Sequence, residues 1–566
     1  MQRKLKYIIP AILLISAVSC KKALDINTDP GRPLAAPVSK LLPTAQVNLG
    51  ISQTISGGLS EVLEVYAHRM STRESPNQYG STGDDFNIGT NWTGVYISTL
   101  TNLDAIISQG TADGNFKYAG IAQILKAYSY SQLVDTYGDV PFTEVNMTGN
   151  LSPVFDKGSD IYPKLFDLLN SGIENLNNPE TNPFSPAADD IIYKGSVDKW
   201  VRAANSIKLK LLLQQRLIKD VSVEVNALIA GGKLISQTSE SFLIPFGPNG
   251  ATDDRNPGFN DYFASQRGNY ISPWFYEILK GYNPSINTGI KDPRIPYYFF
   301  NQLKATAEAT NPTDYRDSAF VSIYFGSQGD NAAQNQQNNM TVLGIYPVGG
   351  KYDDKSGGVV SATSGTGAAP YRLITYADIL YIKAELMKTG VITGDAAATL
   401  QLAITESFKQ VDYVITTYVK PTQTVPVLAG TAPVTSYITK VMAEYNSPRI
   451  VSGYGAQNAD DKKLEIIMTQ KWISSFGSAL DTYIDYRRTG YPTLFDPTNP
   501  AMAPGGLVQP PVNGDPTLGG PQEPIRVIVN KAYPQTLPWY TSELERNTKA
   551  PAQKNDPSTY KPFWKP

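Results

Sequence analysis

Between Tyr371 and Tyr413 the chain carries two helical patterns joined by one short turn, and this unit limits what the whole can become. Leu373, Tyr376, Ala377, Leu380 and Ala384 fall on one helical face, Lys388-Thr389-Gly390 supplies a stop, and Asp395 stands where a second helix needs a cap. An amphipathic helix must bury its stripe against a neighbour, so a short turn between two of them folds them back into a hairpin. The same spacing recurs at Ile121, Ile124, Leu125 and Tyr128, at Trp200, Ala203, Ala204, Ile207 and Leu211, and from Leu464 through Ile467, Met468 and Trp472. Residues 102–145 read as two helices, the second stopping at Tyr137-Gly138-Asp139-Val140-Pro141, and a further helix follows Ser196 with Lys208 and Lys210 off its stripe.

Small residues at facing positions and a Gly-containing turn make the 371–413 unit similar to a tetratricopeptide hairpin. Between the helical patterns lie tracts rich in Pro, Gly, Asn, Tyr and Thr, at Ser241 to Tyr270, Gly326 to Pro370 and Tyr491 to Pro524. These are too long for simple connectors, and long loops held on a rigid frame carry binding surface. The expected fold class is therefore all-α dominated: a tetratricopeptide-like helical hairpin scaffold with long irregular loops. A net charge of -2 offers no field that would draw the protein to nucleic acid, so no nucleic-acid partner is expected.

At the start, Arg3, Lys4 and Lys6 precede an apolar run from Tyr7 to Val18. The run falls well short of the roughly 20 residues that span a bilayer, and it reads as an export signal. It ends at Ala17-Val18-Ser19-Cys20, which resembles a bacterial lipobox with Ala17 where leucine is usual. That resemblance implies cleavage before Cys20 and its lipidation, and acyl chains anchor a protein by burying about 0.8 kcal/mol per methylene. The expected organisation is a signal peptide over 1–19, a lipidated tether over 20–37 and a binding body over 38–566. An ordinary secretory signal is the alternative, but the only cysteine of an exported chain would then lack a partner.

One histidine and one cysteine leave little for metal or nucleophile chemistry. His68 lies in a helical pattern around Val62 to Met70 and reads as a helix-surface residue. The acid pairs Asp84-Asp85, Asp189-Asp190, Asp253-Asp254 and Asp353-Asp354 sit in turn-rich stretches where aspartate bonds its own backbone. Glycoside hydrolysis needs two carboxyls about 5–10 Å apart across a bond, which adjacent residues rarely provide. A calcium ion at one of these pairs has no ligand spacing to support it. No catalytic residue, metal or cofactor is therefore expected. The positive signal is aromatic rings among amides: Tyr79 and Phe86 near Asn77 and Gln78, and Phe259, Tyr262, Phe263, Tyr270 and Trp274 near Asn256, Asn260, Gln266 and Arg267. A flat ring covers the apolar face of a sugar or a peptide side chain while amides and Arg meet its polar edge. Candidate ligand-binding residues are Tyr79, Phe86, Phe259, Tyr262, Arg267 and Trp274, with core packing as the competing role for each ring; Trp92 reads as packing.

Four stretches, in order, resemble the SusD/RagB family, particularly its SusD-like branch: 125–142 with its Tyr-Gly-Asp-Val-Pro ending, 199–210 with Lys199-Trp200 and Ala204-Asn205, Lys291-Asp292-Pro293-Arg294, and 371–385 with Ala384-Glu385. Asp378 stands where that family commonly has glutamate, and the tail adds Gln470-Lys471-Trp472, Asp485-Tyr486-Arg487-Arg488-Thr489-Gly490 and Arg546-Asn547. The resemblance implies an all-helical scaffold with loops on one side, serving as the extracellular lid of a SusC-like TonB-dependent barrel transporter. It implies a non-catalytic lipoprotein of the outer membrane that captures an oligosaccharide or a peptide. The matched residues themselves read as frame: Trp200 at a helix interface, Gly138 and Pro141 ending a helix, Arg294 tying a loop. The competing functions are a surface-anchored hydrolase, which would need a titratable constellation, and a lid with no ligand of its own.

Overall fold

The computed structural model describes residues 36–73, 78–264, 267–307, 313–328, 337–509 and 523–566. The export signal, Cys20, most of the tether, Asn77 and Gln266 lie outside the described residues. Helices carry the architecture, and every sheet among the described residues is a single antiparallel pair of short strands.

The Phe116–Tyr137 helix is buried along nearly its whole circumference because it packs against Thr101–Ala112 on one side and Gly158–Leu176 on the other. Two glycines set the distance of the second crossing. A Cβ on Gly120 would lie 2.7 Å from the Gly172 carbonyl oxygen, and one on Gly172 would lie 2.8 Å from Ile124 Cγ1, so the two backbones touch where any side chain would part them. Gly138, at φ 81, then ends the helix, and Val140–Pro141 pairs with Phe155–Asp156.

The hairpin over 371–413 forms from Tyr376–Lys388 and Ala396–Val414. Its first helix opens with a reciprocal cap: Thr375 Oγ1 accepts from the Asp378 N–H at 3.1 Å, and Asp378 Oδ2 accepts from the Thr375 N–H at 2.8 Å. Aspartate at this position thus does the work expected of a glutamate. Asp395 accepts from the Ala398 N–H at 3.0 Å and caps the second helix. Ala396–Val414 packs on Ala432–Asn446, which packs on Ala459–Ser474, which returns to Tyr376–Lys388. The fold is an all-α dominated stack of helical hairpins.

The stretches that carry the family resemblance meet one another inside this frame. Glu385 accepts from Arg488 Nε at 3.0 Å and Nη2 at 2.7 Å and from Arg216 Nη2 at 2.9 Å, while Asp485 lies 2.7 Å from both Arg488 and Lys471. This buried ionic cluster ties the Val197–Gln215, Tyr376–Lys388, Ala459–Ser474 and Leu480–Thr489 helices together. Trp200 is fully buried with its indole N–H donating to Asp190 Oδ2 at 2.7 Å, and Arg294 pairs with Asp292 at 2.6 Å beneath the Phe408 ring.

The long tracts are less irregular than their composition suggests. Ser241 to Tyr270 contains the strand Phe242–Ile244, paired with Tyr371–Ile374, and the short helix Gly258–Phe263. In Gly326 to Pro370, Val342–Leu343 pairs with Phe299–Phe300. His68 also differs from its sequence reading. The Leu59–Tyr66 helix ends before it, and His68 turns inward at φ 55, fully buried, because Arg69 beyond it is drawn into a buried pair with Glu64 at 2.6 Å. Among the described residues no helix is long and apolar enough to cross a membrane.

Candidate ligand-binding site

Strand Met70–Thr72 pairs antiparallel with Asn269–Ile271, with Met70 opposite Ile271. This pairing brings together the segments of Tyr79 and Trp274, about two hundred residues apart in the chain. Directly after the second strand, Pro273 opens the Pro273–Lys280 helix, where a missing N–H costs nothing, and Gly281 in the left-handed region closes it. Trp274 and Glu277, three residues apart and so on one face of this helix, both line a cavity of about 170 Å³.

The rest of the wall comes from distant segments, chiefly Tyr324, Phe325, Tyr454 and Phe495. Trp274 and Tyr454 lie nearly parallel, at 17° with centroids 6.0 Å apart, and Phe495 stands 5.7 Å from Trp274. Phe325 is backed by the His68 ring at 4.1 Å and the Tyr79 ring at 5.3 Å. Tyr79 Oη and His68 Nε2 share a 2.6 Å hydrogen bond, and burial holds the His68 pKa down to about 3, so this supporting layer is uncharged. The polar complement is incomplete. Among the described residues the Trp274 indole N–H and the Ser272 hydroxyl have no hydrogen-bond partner, and burial pushes the Glu277 carboxyl up to about 7. The cavity thus offers a ligand an aromatic wall with the Glu277 carboxyl as its charged group.

The six candidate residues part company here. Tyr79 and Trp274 lie around this cavity, Trp274 in its lining and Tyr79 one layer behind, so a change at Tyr79 acts on packing first. Phe86 is 74% exposed at the start of the Phe86–Thr93 helix and does not line the cavity. Phe259 and Tyr262 are buried and stacked on each other at 5.1 Å, with the Arg255 guanidinium 5.4 Å from the Phe259 ring. Arg267 is buried and donates to the Gln337 carbonyl and to Gln302. Tyr324, Phe325, Tyr454 and Phe495 escaped the sequence reading because no local pattern links them to Trp274; only the aromatic run Tyr324-Phe325 before Gly326 gives a hint.

The acid pairs serve turns: Asp85 accepts from the Thr82 N–H, Asp190 from Gly195, Asp254 from Asn249 and Asp353 from Lys355. Among the described residues no three His, Cys, Asp or Glu side chains gather as a metal site. A wider hollow of about 490 Å³ opens beside Phe166, Lys208, Leu212 and Leu228. It has greater volume but only one ring, so the smaller aromatic cavity is the better candidate.

Comparison with known proteins agrees with the architecture. Residues 33–510 match a SusD-like family model described as starch-binding and associating with the outer membrane. A SusD/RagB family protein from Bacteroides thetaiotaomicron superposes with a TM-score of 0.63 at 18% identity, over 91% of this chain and 95% of that one. A chitin-binding SusD homologue from Flavobacterium johnsoniae gives 0.63 at 18% identity, over 93% and 98%. A SusD homologue from Bacteroides fragilis gives 0.62 at 21%, over 90% and 94%. A sequence search of curated proteins gave no match.

Proposed function

Because the chain belongs to the SusD-like family, we propose that it is a cell-surface binding lipoprotein that captures an oligosaccharide in the Trp274 cavity and delivers it to a SusC-like TonB-dependent transporter. The observation that carries the reading is the cavity itself: aromatic walls held by a second layer of rings, with the Glu277 carboxyl, raised by burial, among them. The family description and the chitin-binding neighbour support a glycan ligand. Residues 1–19 act as the export signal, lipidated Cys20 and the segment to residue 37 as the anchor and tether, and 38–566 as the binding body.

The reading is binding without turnover. Among the described residues Glu277 is the one acid in the cavity lining, whereas a glycosidase sets two carboxyls across the scissile bond. The test is calorimetry of the mature protein against malto-, chito-, cello- and xylo-oligosaccharides and a peptide mixture, with product analysis after incubation. One glycan series binds and is recovered intact, and Trp274→Ala weakens it by about 1–3 kcal/mol, the scale of a lost aromatic anchor. Trp274→Phe, which keeps a ring but no N–H, separates loss of binding from loss of folding. Binding of peptide alone, or hydrolysis of the bound glycan, overturns the reading.

A further inference from the structure

Resting on that reading of the Trp274 cavity, we infer that the site holds one sugar unit at the end of a chain, with Glu277 accepting hydrogen bonds from adjacent ring hydroxyls. Size is the first ground. Pockets that bury a drug-sized ligand run to roughly 300–1,000 Å³, and this one offers about 170 Å³. That is room for one ring, not for a run of several.

Closure is the second ground. The walls come from the segments of Trp274, Asn283, Tyr324, Tyr454 and Phe495, and two of the gaps between them are tied by hydrogen bonds. The Tyr324 hydroxyl donates to the Gln509 carbonyl at 3.1 Å, and Asn283 Nδ2 donates to the Tyr454 hydroxyl at 2.9 Å. A unit in the middle of a polymer needs two exits for the chain, whereas an end unit needs one. A ring-sized space between tied walls has length for one unit and not for neighbours on both sides of it.

Polar chemistry is the third ground. A carboxylate offers two oxygens at the spacing of a pair of neighbouring hydroxyls, and such charge-assisted bonds are short and strong. The indole N–H of Trp274 has no acceptor among the described residues and is closed off from solvent, so a sugar hydroxyl reaches it only when the ring turns toward the cavity. Burial pushes the Glu277 acid up to about 7 against a hydrogen bond from the Tyr315 hydroxyl, and ring hydroxyls add donors that favour the carboxylate. Of the other ionisable groups near it, the Tyr315 hydroxyl bonds Glu277 and favours its carboxylate, Asp317, paired with Lys280, opposes it as a like charge, and Tyr324 and Tyr454 stand close by.

The test uses the full mature protein and the trimer, hexamer and long-chain fractions of each of the four oligosaccharide series. One chain per protein at every length, with a molar affinity that stays within about threefold from trimer to hexamer, is the expected result. Glu277→Gln, which keeps the shape, lowers affinity at every length by about tenfold or more, a factor of ten being about 1.4 kcal/mol. Several proteins loading onto one long chain, or affinity that climbs tenfold from trimer to hexamer, means a multi-unit groove and overturns the inference. Glycan binding untouched by both Glu277→Gln and Trp274→Phe places the sugar elsewhere, ending this inference while leaving capture intact. No binding by any series ends both.

Discussion

Replacing Glu385 by glutamine removes the carboxylate that two arginines share. Arg488 bonds both of its oxygens, at 3.0 and 2.7 Å, and Arg216 bonds Oε1 at 2.9 Å. The Glu385 side chain is 1% exposed, so water cannot take over. Glutamine keeps the volume but points an amide N–H₂ at a guanidinium. Losing one partner of a buried pair costs about 3–5 kcal/mol, and because Asp485 still lies 2.7 Å from Arg488 the lower half of that range is expected. With an unfolding entropy of about 2.1 cal/mol/K per residue the chain loses about 1.2 kcal/mol per degree, so Tm falls by about 2.5–3.5 °C if unfolding is cooperative. Burial alone would raise the Glu385 pKa, but Arg488 and Arg216 hold it below its ordinary value. A depressed carboxyl stabilises the fold above its unfolded pKa and loses that contribution as pH falls through the folded one. The gap between wild type and variant therefore closes in acid below the usual glutamate range. Scanning calorimetry at neutral and acid pH reads both effects, and glycan affinity of the folded variant stays at the wild-type value. A Tm change under 1 °C, or lost affinity with Tm unchanged, would refute the view that the family motifs are frame.

Gly172→Val drives a side chain into Ile124 and the Gly120 carbonyl, and overpacking of this kind costs about 1–3 kcal/mol; an unchanged denaturation midpoint would count against the close crossing. Burial raises Asp135 to about 6 and Asp261 and Glu277 to about 7. The folded chain then binds more protons than the unfolded one between about pH 4 and 7, so stability should fall across that window, with Tm lower at pH 8 than at pH 5 and Asp261→Asn flattening the slope. A rising Tm would reverse the assignment. Cys20→Ala should move the protein from the membrane to the soluble fraction, because acyl burial of about 0.8 kcal/mol per methylene is the attachment proposed for it; unchanged fractionation would exclude lipidation as the anchor.

What is local in the fold was legible, and what is distant was not. The hairpin from Tyr376 to Val414 announces itself by its stripe, its Asp395 cap and the Gly390 turn, all within a short stretch of chain. Glu385 and Arg488 each stand in a recognisable stretch, yet a hundred residues separate them and no pattern says that they pair. His68 continues a helical spacing and still leaves the helix, because the paired Glu64 and Arg69 are bound to a distant segment, Glu64 accepting from the Gly477 N–H and Arg69 donating to the Trp472 carbonyl. In the site, composition singled out rings among amides without telling which way they face. Phe259 and Trp274 sit in similar surroundings in sequence, but Phe259 is fully buried against Gly365 while Trp274 borders a cavity. The rings that complete that cavity, Tyr454 and Phe495 among them, belong to segments nearly two hundred residues on.

The short pairing of Met70–Thr72 with Asn269–Ile271 has a consequence for biosynthesis. Its partners are separated by almost two hundred residues, and the Tyr454 and Phe495 walls follow as many again later in the chain. Closing loops of that length comes late in folding, after the local helical hairpins. No fragment shorter than Ser272 to Gln509 contains the cavity lining, so a chain threaded only part-way through an export channel has nothing with which to hold a sugar. Binding competence arrives in one step with the finished molecule, which makes retention on a glycan column an assay of complete folding as well as of affinity.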